Sequence, residues 1–378
     1  MGGGPSTPEL AAAVCEAGGL GFLAAGYRTV ADVGREIDRL RSLTERPFGL
    51  NVFVPPGPAA DPWSVAAYAE RVAGEGELGE PRHHDDAYLE KLALAADKRV
   101  PVLSTNFGAP SGAEIQELHS VECSVWVTTT TADEARRAAA AGADALIVQG
   151  TEAGGHRASF DDAAPGDIGL LALLQLTAAV TDLPLIATGG IVTGAGVAAA
   201  LAAGAAAVQL GTAFMLTPEA GTSPAHRAAI ARPGETGLTR AFTGRTARGI
   251  LNRFQREHSG CAVRVPGGSP SHRPHASRRT ASVVTSRAFT SGRARRMNSP
   301  ARGPRRRSGA RAGDGCPGRP RGGRRPSQRL IYGRLPCNVQ VRNSTRVLRR
   351  DAVLAQHRRA EPGEQIQPHA VMMRPLVV

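Results

Sequence analysis

The sequence lacks the features that define several common classes of protein. Its five cysteines stand singly, so neither a zinc site nor a disulfide framework is indicated. No apolar run approaches the ~20 residues that span a bilayer. The N-terminus has no basic region followed by an apolar one. We therefore expect a cytoplasmic protein with no metal and no membrane partner.

Lysine is absent from the last third of the chain. Residues 259–378 contain 26 Arg, no Lys and 4 acidic residues, whereas residues 1–258 contain 20 Lys and Arg against 29 Asp and Glu. The last third is rich in Pro, Ser and Gly and has no apolar period, so it cannot bury enough surface to offset its ordering entropy. We predict a disordered basic tail. The abrupt change also fits a shift of reading frame in a GC-rich gene.

Up to residue 258, short apolar runs alternate with amphipathic helical stretches, which is typical of βα units around a parallel sheet. Helices are predicted at Pro8–Ala17, Thr29–Leu43 and Ala132–Ala141, with Thr7 and Thr131 as N-caps. The predicted strands are Gly21–Ala25, Phe48–Val54, Val100–Thr105, Ser124–Thr129, Ala143–Gln149, Leu183–Thr188 and Ala206–Gly211.

Seven βα units in residues 1–258 predict an α/β fold, a TIM-type (β/α)₈ barrel that is one strand short. The chain opens on a loop, Met1–Ser6, followed by a helix, so we expect the first strand to be missing and the start to be internal. Residues 55–98 are longer than one βα connection. They predict an excursion over the barrel top with helices Trp63–Glu75 and Ala87–Lys98. The polar run around His83 and His84 is interpreted as a solvated loop rather than a metal site.

Unusual residues follow the strand ends, where barrel enzymes keep their active sites. The turns at Gly189-Gly190 and Gly211-Thr212 run towards helix starts, where glycine allows close backbone approach and unpaired N–H groups bind phosphate. His156 stands in a Gly-Gly-His-Arg loop beside Gln149. An imidazole can take and give a proton near neutral pH, so His156 is the predicted catalytic residue. Glu152 and Arg157 are interpreted as charges that stabilise the loop.

Six sets of residues, in order along residues 1–258, resemble motifs of the nitronate monooxygenases, formerly called 2-nitropropane dioxygenases. They are Met1–Ser6 with Ala17–Gly21, Gly49–Phe53, Gln149–Arg157, Ala187–Ile191, Gln209–Thr212 and Arg240–Arg245. The resemblance implies an FMN-dependent barrel enzyme. In that family the flavin reacts with an alkyl nitronate by one-electron transfer, and O₂ completes cleavage to a carbonyl compound and nitrite.

The resemblance also implies roles for individual residues. His156 would be the active-site base or a group that orients the substrate. Asn51 would contact the flavin, and Gln149 would reach the polar edge of its ring. The other implied cofactor-binding residues are Met1, Gly2, Gly3, Gly154, Gly155, Gly189, Gly190, Gln209, Leu210, Gly211 and Thr212. This chain departs from the family at both ends: the first strand and the Pro before Met1 are absent, and the tail replaces the helices that follow Asn252–Phe254.

Other functions remain open at this point. Enoyl-acyl-carrier-protein reductases and NADH:quinone reductases are FMN barrels with the same framework, although no GxGxxG-type dinucleotide fingerprint follows a strand here. A third interpretation is an inactive product whose Arg-rich runs bind nucleic acid without specificity. Within the tail, only Phe289 and Tyr332 could stack on bases. The sequence does not indicate an oligomeric state or the chain length of a nitronate substrate.

Overall fold

The structure, a computed structural model, describes residues 1–55, 62–75 and 85–258. The predicted tail and the His83-His84 run lie outside these residues. The strands are β1 (Phe22–Ala24), β2 (Gly49–Phe53), β3 (Val102–Asn106), β4 (Ser124–Thr129), β5 (Ala145–Gln149), β6 (Gly155–His156), β7 (Leu185–Thr188), β8 (Ala207–Gln209), β9 (Thr236–Thr239) and β10 (Ala247–Ile250). The helices are α1 (Pro8–Glu16), α2 (Val30–Leu43), α3 (Pro62–Val72), α4 (Tyr88–Asp97), α5 (Gly112–Ser120), α6 (Ala132–Ala141), α7 (Leu170–Ala178), α8 (Gly194–Ala202), α9 (Pro224–Ile230) and α10 (Arg253–His258).

Seven strands form one parallel sheet, in the order β1-β2-β3-β4-β5-β7-β8. The order follows the chain and a helix covers most of the connections, so the curled sheet is the predicted TIM-type barrel. All seven predicted strands are present, with bounds shifted by at most two residues. Within the residues described, β1 and β8 form the two edges of this sheet.

Both faces of the barrel sheet are apolar, as a parallel sheet covered by helices requires. On the outer face, Leu50, Leu103 and Leu146 are fully buried beneath the helices. Inside the barrel, the ring of Trp126 lies 5.9 Å from that of Phe22, centroid to centroid. Burial on both sides explains why these strands appear in the sequence as continuous apolar runs.

Local capping interactions fix where the barrel helices begin and end. Thr7 accepts a hydrogen bond of 3.0 Å from the backbone N–H of Leu10, and Thr131 caps α6 in the same way. Gly142 ends α6 with a φ of 102°, a left-handed conformation that glycine adopts without strain. Both predicted N-caps are therefore confirmed. No helix in the described part of the chain combines the length and apolarity needed to cross a membrane.

A second sheet, which the sequence did not predict, is antiparallel and has the order β6-β10-β9. Strand β6 comes directly after the carboxyl end of β5 in the chain. The small sheet therefore lies on the side of the barrel where the strands end. The excursion helix α3 packs on it: the hydroxyl of Tyr68 donates to the carbonyl of Ala241 (2.7 Å), and Val72, Ala241 and Phe254 form one buried cluster. We call residues 62–75, 155–156 and 236–258 the cap.

Candidate active site

The strand ends of the barrel bring several predicted site residues into one row. Strand pairing aligns Gln149 with Thr188, and Thr188 with Gln209. The hydroxyl of Thr188 donates to the carbonyl of Gln209 (3.0 Å), which ties β7 to β8 where both strands end. Gln149 and Gln209 therefore lie at the same edge of the sheet, as the sequence predicts.

His156 lies on β6, directly above the end of β5. Its Nε2 and the hydroxyl oxygen of Thr243 share a hydrogen bond of 2.7 Å. The amide of Gln149 supports this loop from below, because Nε2 donates to the carbonyl of His156 (3.1 Å) and Oε1 accepts from the N–H of Ala158 (2.9 Å). The side chain of Gln149 thus fixes the backbone that carries His156.

A row of aromatic rings leads across the barrel mouth to His156. The ring of Phe107 lies edge-on to the imidazole with centroids 6.3 Å apart, and Phe53 follows at 5.0 Å from Phe107 and Tyr27 at 5.4 Å from Phe53. Phe107 has a φ of 72°, a left-handed backbone that costs an aromatic residue free energy. The guanidinium of Arg245 lies 4.4 Å from the centre of the Phe107 ring. Such strain at the edge of a site is typical of a functional constraint.

The two charged residues of the loop after β5 hold that loop in place. Arg157 is fully buried, and its Nη1 donates to the carbonyl of Gln149 (2.9 Å), while Nε and Nη2 have no hydrogen-bond partner among the described residues. Burial lowers the pKa of Arg157 from its usual value. The carboxylate of Glu152 accepts from the N–H of Leu170 at 3.0 Å, at the start of α7. These contacts fit the interpretation of both residues as loop-stabilising charges.

The glycine pair after β7 is crowded by that same loop. Gly189 and Gly190 have φ values of 120° and 69°. A Cβ on Gly189 would lie 3.1 Å from the backbone nitrogen of Ala153, and one on Gly190 would lie 3.0 Å from Cβ of Glu152. Glycine is therefore required here for packing as well as for conformation.

The N-terminal turn lies beside the loops after β5 and β8, and we call the space bordered by these segments and the turn after β7 the cleft. The side chain of Met1 lies 3.7 Å from where a Cβ of Gly211 would stand, and a Cβ on Gly154 would lie 3.2 Å from the hydroxyl of Thr212. A Cβ on Gly2 would lie 3.3 Å from the ring of Phe53. Met1, Gly154, Gly211 and Thr212 are thus brought together, with Gly2 beside the aromatic row.

Space remains at three further glycines around the cleft. Apart from its chain neighbours and helix backbone, no atom lies within 4 Å of a Cβ built on Gly3, Gly155 or Gly194. Gly194 begins α8, where Thr193 accepts from the N–H of Gly196 (3.1 Å) and the N–H groups of Gly194 and Ala195 precede the first intrahelical bond. Backbone donors and open space of this kind suit a phosphate group.

Two of the predicted cofactor-binding residues lie further from the glycine turns or turn their side chains away from them. Asn51 donates from Nδ2 to the hydroxyl of Ser104 (2.9 Å), so its amide is held inside the barrel, on the far side from the glycines after β7. Leu210 packs against the outer apolar core, so only its backbone faces the cleft.

Two carboxylates and one imidazole of the cap lie close enough together to bind a cation. The ligand atoms of Glu75, Glu257 and His258 are within 4.8 Å of one another. However, Arg253 donates to both carboxylate oxygens of Glu75, at 2.9 and 2.6 Å, and pairs with Glu257. The guanidinium of Arg253 thus contacts both carboxylates, and the cluster is an ion-pair network.

The sequence analysis did not identify the residues that lie around His156. Thr243 and Arg245 fall within a motif of the family resemblance, but no pattern in the sequence indicated what they contact. Phe107 and Asp162 carried no signal, because a single aromatic residue after a strand and a single aspartate in a loop are common.

The comparisons with known proteins agree with each other. A family profile described as nitronate monooxygenase matches residues 1–298. The nitronate monooxygenase of Pseudomonas aeruginosa is 42% identical over 264 residues, which cover 66% of this chain and 75% of that protein. That of Paraburkholderia phytofirmans is 40% identical over 263 residues, 66% of this chain and 72% of that protein.

Two solved structures extend the comparison to the fold. The crystal structure of a nitroalkane oxidase from Streptomyces ansochromogenes is 48% identical, with a TM-score of 0.71 over 76% of this chain and 85% of that chain. FabK from Thermotoga maritima is more distant, at 31% identity and a TM-score of 0.55 over 69% of this chain and 72% of that chain.

Proposed function

Because the chain belongs to the nitronate monooxygenase family and is an oxidoreductase, we propose that it binds FMN and uses O₂ to oxidise alkyl nitronates to a carbonyl compound and nitrite. The observation that carries this proposal is that the glycine turns and His156, which is hydrogen-bonded to Gln149 and Thr243, lie at the same strand ends of one barrel.

The residues around the cleft fit FMN in three respects. Backbone N–H groups at Gly190 and at Gly211 and Thr212 would hold the phosphate, with the start of α8 nearby. Met1 and Gly154, which flank Gly211 and Thr212, would border the flavin ring. Asn51 and Gln149 would lie towards its polar edge, although in this structure their amides are bonded to Ser104 and to the backbone of His156 and Ala158. Gly2, Gly3, Gly155, Gly189, Gln209 and Leu210 would complete the backbone lining.

When bound, FMN would supply the one-electron chemistry on the nitronate that O₂ then completes. The protein's own residues bind and orient the substrate. A nitronate is an anion, and the buried guanidinium of Arg245, stacked on Phe107, makes the mouth electropositive. His156 can donate a hydrogen bond to the nitro oxygens.

With a neutral nitroalkane, His156 has a second task. An unprotonated ring nitrogen takes the proton from the carbon next to the nitro group, the C–H electron pair becomes the C=N bond of the nitronate, and the negative charge settles on the nitro oxygens. A preformed nitronate needs no such step. The two substrates therefore separate proton transfer from binding.

The test compares wild type with His156→Asn, which keeps a polar side chain but cannot act as a base. Purified wild type should show a flavin absorption band and release nitrite with O₂ consumption. We expect His156→Asn to keep the flavin band and to lose roughly 10²–10⁴-fold in turnover of a neutral nitroalkane, with a smaller loss on the nitronate. Equal losses on both substrates would make His156 a binding group only. No loss on either would place it outside the site.

A flavin-dependent reductase on the same barrel is the second candidate, and it has weaker support. The nitronate monooxygenase and nitroalkane oxidase relatives are more similar to this chain than FabK is. Oxidation of NADH without nitronate-dependent nitrite release would favour the reductase.

A further inference from the structure

We propose that Thr243 is a positioning residue for His156, and that its buried hydroxyl fixes the orientation of the imidazole at the barrel mouth. The inference rests on the proposed function, because it concerns the residue that would exchange a proton with the substrate. Thr243 itself would not touch the substrate.

The contact is short and shielded from water. The hydroxyl oxygen of Thr243 lies 2.7 Å from Nε2 of His156, at the short end of the range for N···O hydrogen bonds. Thr243 is only 6% exposed, so bulk water does not compete for this contact. Removing the hydroxyl therefore leaves the imidazole nitrogen without the partner it now has.

The turn that carries Thr243 is held rigidly at both ends. The carboxylate of Asp162 accepts hydrogen bonds from the N–H of Thr246 (3.0 Å) and from the guanidinium of Arg240. Arg240 also donates to the carbonyl of Gly244 (3.0 Å), whose N–H returns a bond to the carbonyl of Arg240 (2.9 Å). Asp162 is buried. The position of the Thr243 hydroxyl is thus set by a closed polar network, independently of His156.

The same turn constrains the imidazole from a second side. Arg245 stacks on Phe107, and the edge of Phe107 meets the ring of His156. The backbone of Phe107 is left-handed, with a φ of 72°. The imidazole of His156 is therefore held on one side by the ring of Phe107 and at Nε2 by the hydroxyl of Thr243.

The chemistry of imidazole explains why one hydroxyl has this effect. A neutral ring has one donor nitrogen and one acceptor nitrogen, and a hydroxyl can match either. While the hydroxyl of Thr243 contacts Nε2, the ring keeps one orientation in either tautomer. The proton that leaves a nitroalkane is thus accepted by an imidazole whose position is already fixed.

The experiment uses three single variants of the full chain. Thr243→Val keeps shape and burial but removes the hydroxyl, and Thr243→Ser restores it. Thr236→Val is the matched control: it removes a hydroxyl from the same small sheet, one that accepts from Arg248 at 3.2 Å and does not contact His156.

We expect Thr243→Val to keep the flavin band and to lose about tenfold or more in kcat for a neutral nitroalkane, with a changed pH profile of kcat/KM and a smaller loss on the nitronate. Thr243→Ser should recover most of the activity, and Thr236→Val should match wild type. Equal impairment of the Ser and Val variants would assign Thr243 a packing role and overturn the proposal. Wild-type activity in Thr243→Val would overturn it as well.

A second measurement does not depend on activity. In protein labelled with ¹⁵N-histidine, the Nε2 signal of His156, assigned by comparison with His156→Asn, should show a hydrogen bond in wild type and should shift in Thr243→Val, where that hydrogen bond is lost. Unchanged ring signals in Thr243→Val would overturn the inference. If wild type released no nitrite, the proposed reaction would fail, and the ring signals would still decide the role of Thr243.

Discussion

The barrel wall and the cap are held together by different forces. In the barrel wall, fully buried leucines such as Leu50, Leu103 and Leu146 fill the space between sheet and helices. In the cap, ion pairs accompany the small apolar cluster of Val72, Ala241 and Phe254: Arg240 pairs with Asp162, which lies in the loop after β6, and Arg253 pairs with Glu75. The barrel wall depends on apolar area removed from water, and the cap depends to a larger extent on individually matched polar groups.

This difference separates two tasks. Apolar packing tolerates exchange of one side chain for another of similar volume, so it fixes where the strand ends lie without specifying the chemistry there. Polar contacts require particular partners at particular distances, so they can aim a hydroxyl at an imidazole. The barrel therefore brings the candidate site residues to one edge of the sheet, and the cap would orient His156, the proposed catalytic side chain.

The largest effect is expected in the barrel. Leu173→Ala, at a fully buried position of α7, should lower the free energy of unfolding by about 2–5 kcal/mol in urea denaturation. Leu176→Ala is its control on the same helix, because Leu176 is 47% exposed and the change in helix propensity is identical; it should stay within about 0.5 kcal/mol. Similar losses in both variants would contradict burial as the source of barrel stability.

A smaller effect is expected from the polar network of the cap. Asp162→Asn removes the charge that faces Arg240 and weakens the acceptor for the N–H of Thr246. It should lower the free energy of unfolding by about 1–3 kcal/mol and speed hydrogen exchange at Thr246. Asp161→Asn, an exposed neighbour with the same change of charge, should have little effect. Unchanged exchange at Thr246 in Asp162→Asn would show that the turn is held by packing instead.

The smallest effect is expected at the ion-pair network that joins α3 to α10. Hydrogen bonds from Arg253 hold the pKa of Glu75 below its usual value of 4.5. A carboxyl with a lowered pKa stabilises the folded state above its unfolded pKa, and this contribution is lost as the pH falls through the folded value. Glu75→Gln should thus cost at most about 1 kcal/mol at neutral pH.

The pH dependence provides the check on this pair. The difference in stability between wild type and Glu75→Gln should shrink as the pH falls through the folded pKa of Glu75, because the carboxylate then takes up a proton. A difference that grows over this acidic range would mean that Glu75 is destabilised by its surroundings.

The barrel was predictable because its signals are local and repeated. Each strand of the large sheet is a short apolar run, and the N-caps Thr7 and Thr131 precede amphipathic helices directly. The cap was not predictable by the same means. Strand β6 is only Gly155–His156, too short to show any period. Strands β9 and β10 have four residues each, and neither shows a sustained apolar alternation.

The candidate site divides in the same way. His156 and the glycine turns could be found because they directly follow strand ends, which the barrel brings to one edge. Thr243 lies 87 positions from His156 along the chain, and their contact depends on the antiparallel pairing of Ala247 with His156. Such pairing between segments far apart in sequence leaves no trace in composition or spacing.

The chain contains only two tryptophans, and one lies in each of the two regions compared above. Trp126 is half-buried inside the barrel against Phe22, whereas Trp63 is 83% exposed on α3 of the cap. Their fluorescence emission should therefore differ in wavelength, and an added quencher such as iodide reaches the exposed indole more easily than the enclosed one. Fluorescence emission recorded during unfolding would therefore distinguish loosening of the cap from unfolding of the barrel, without an attached label.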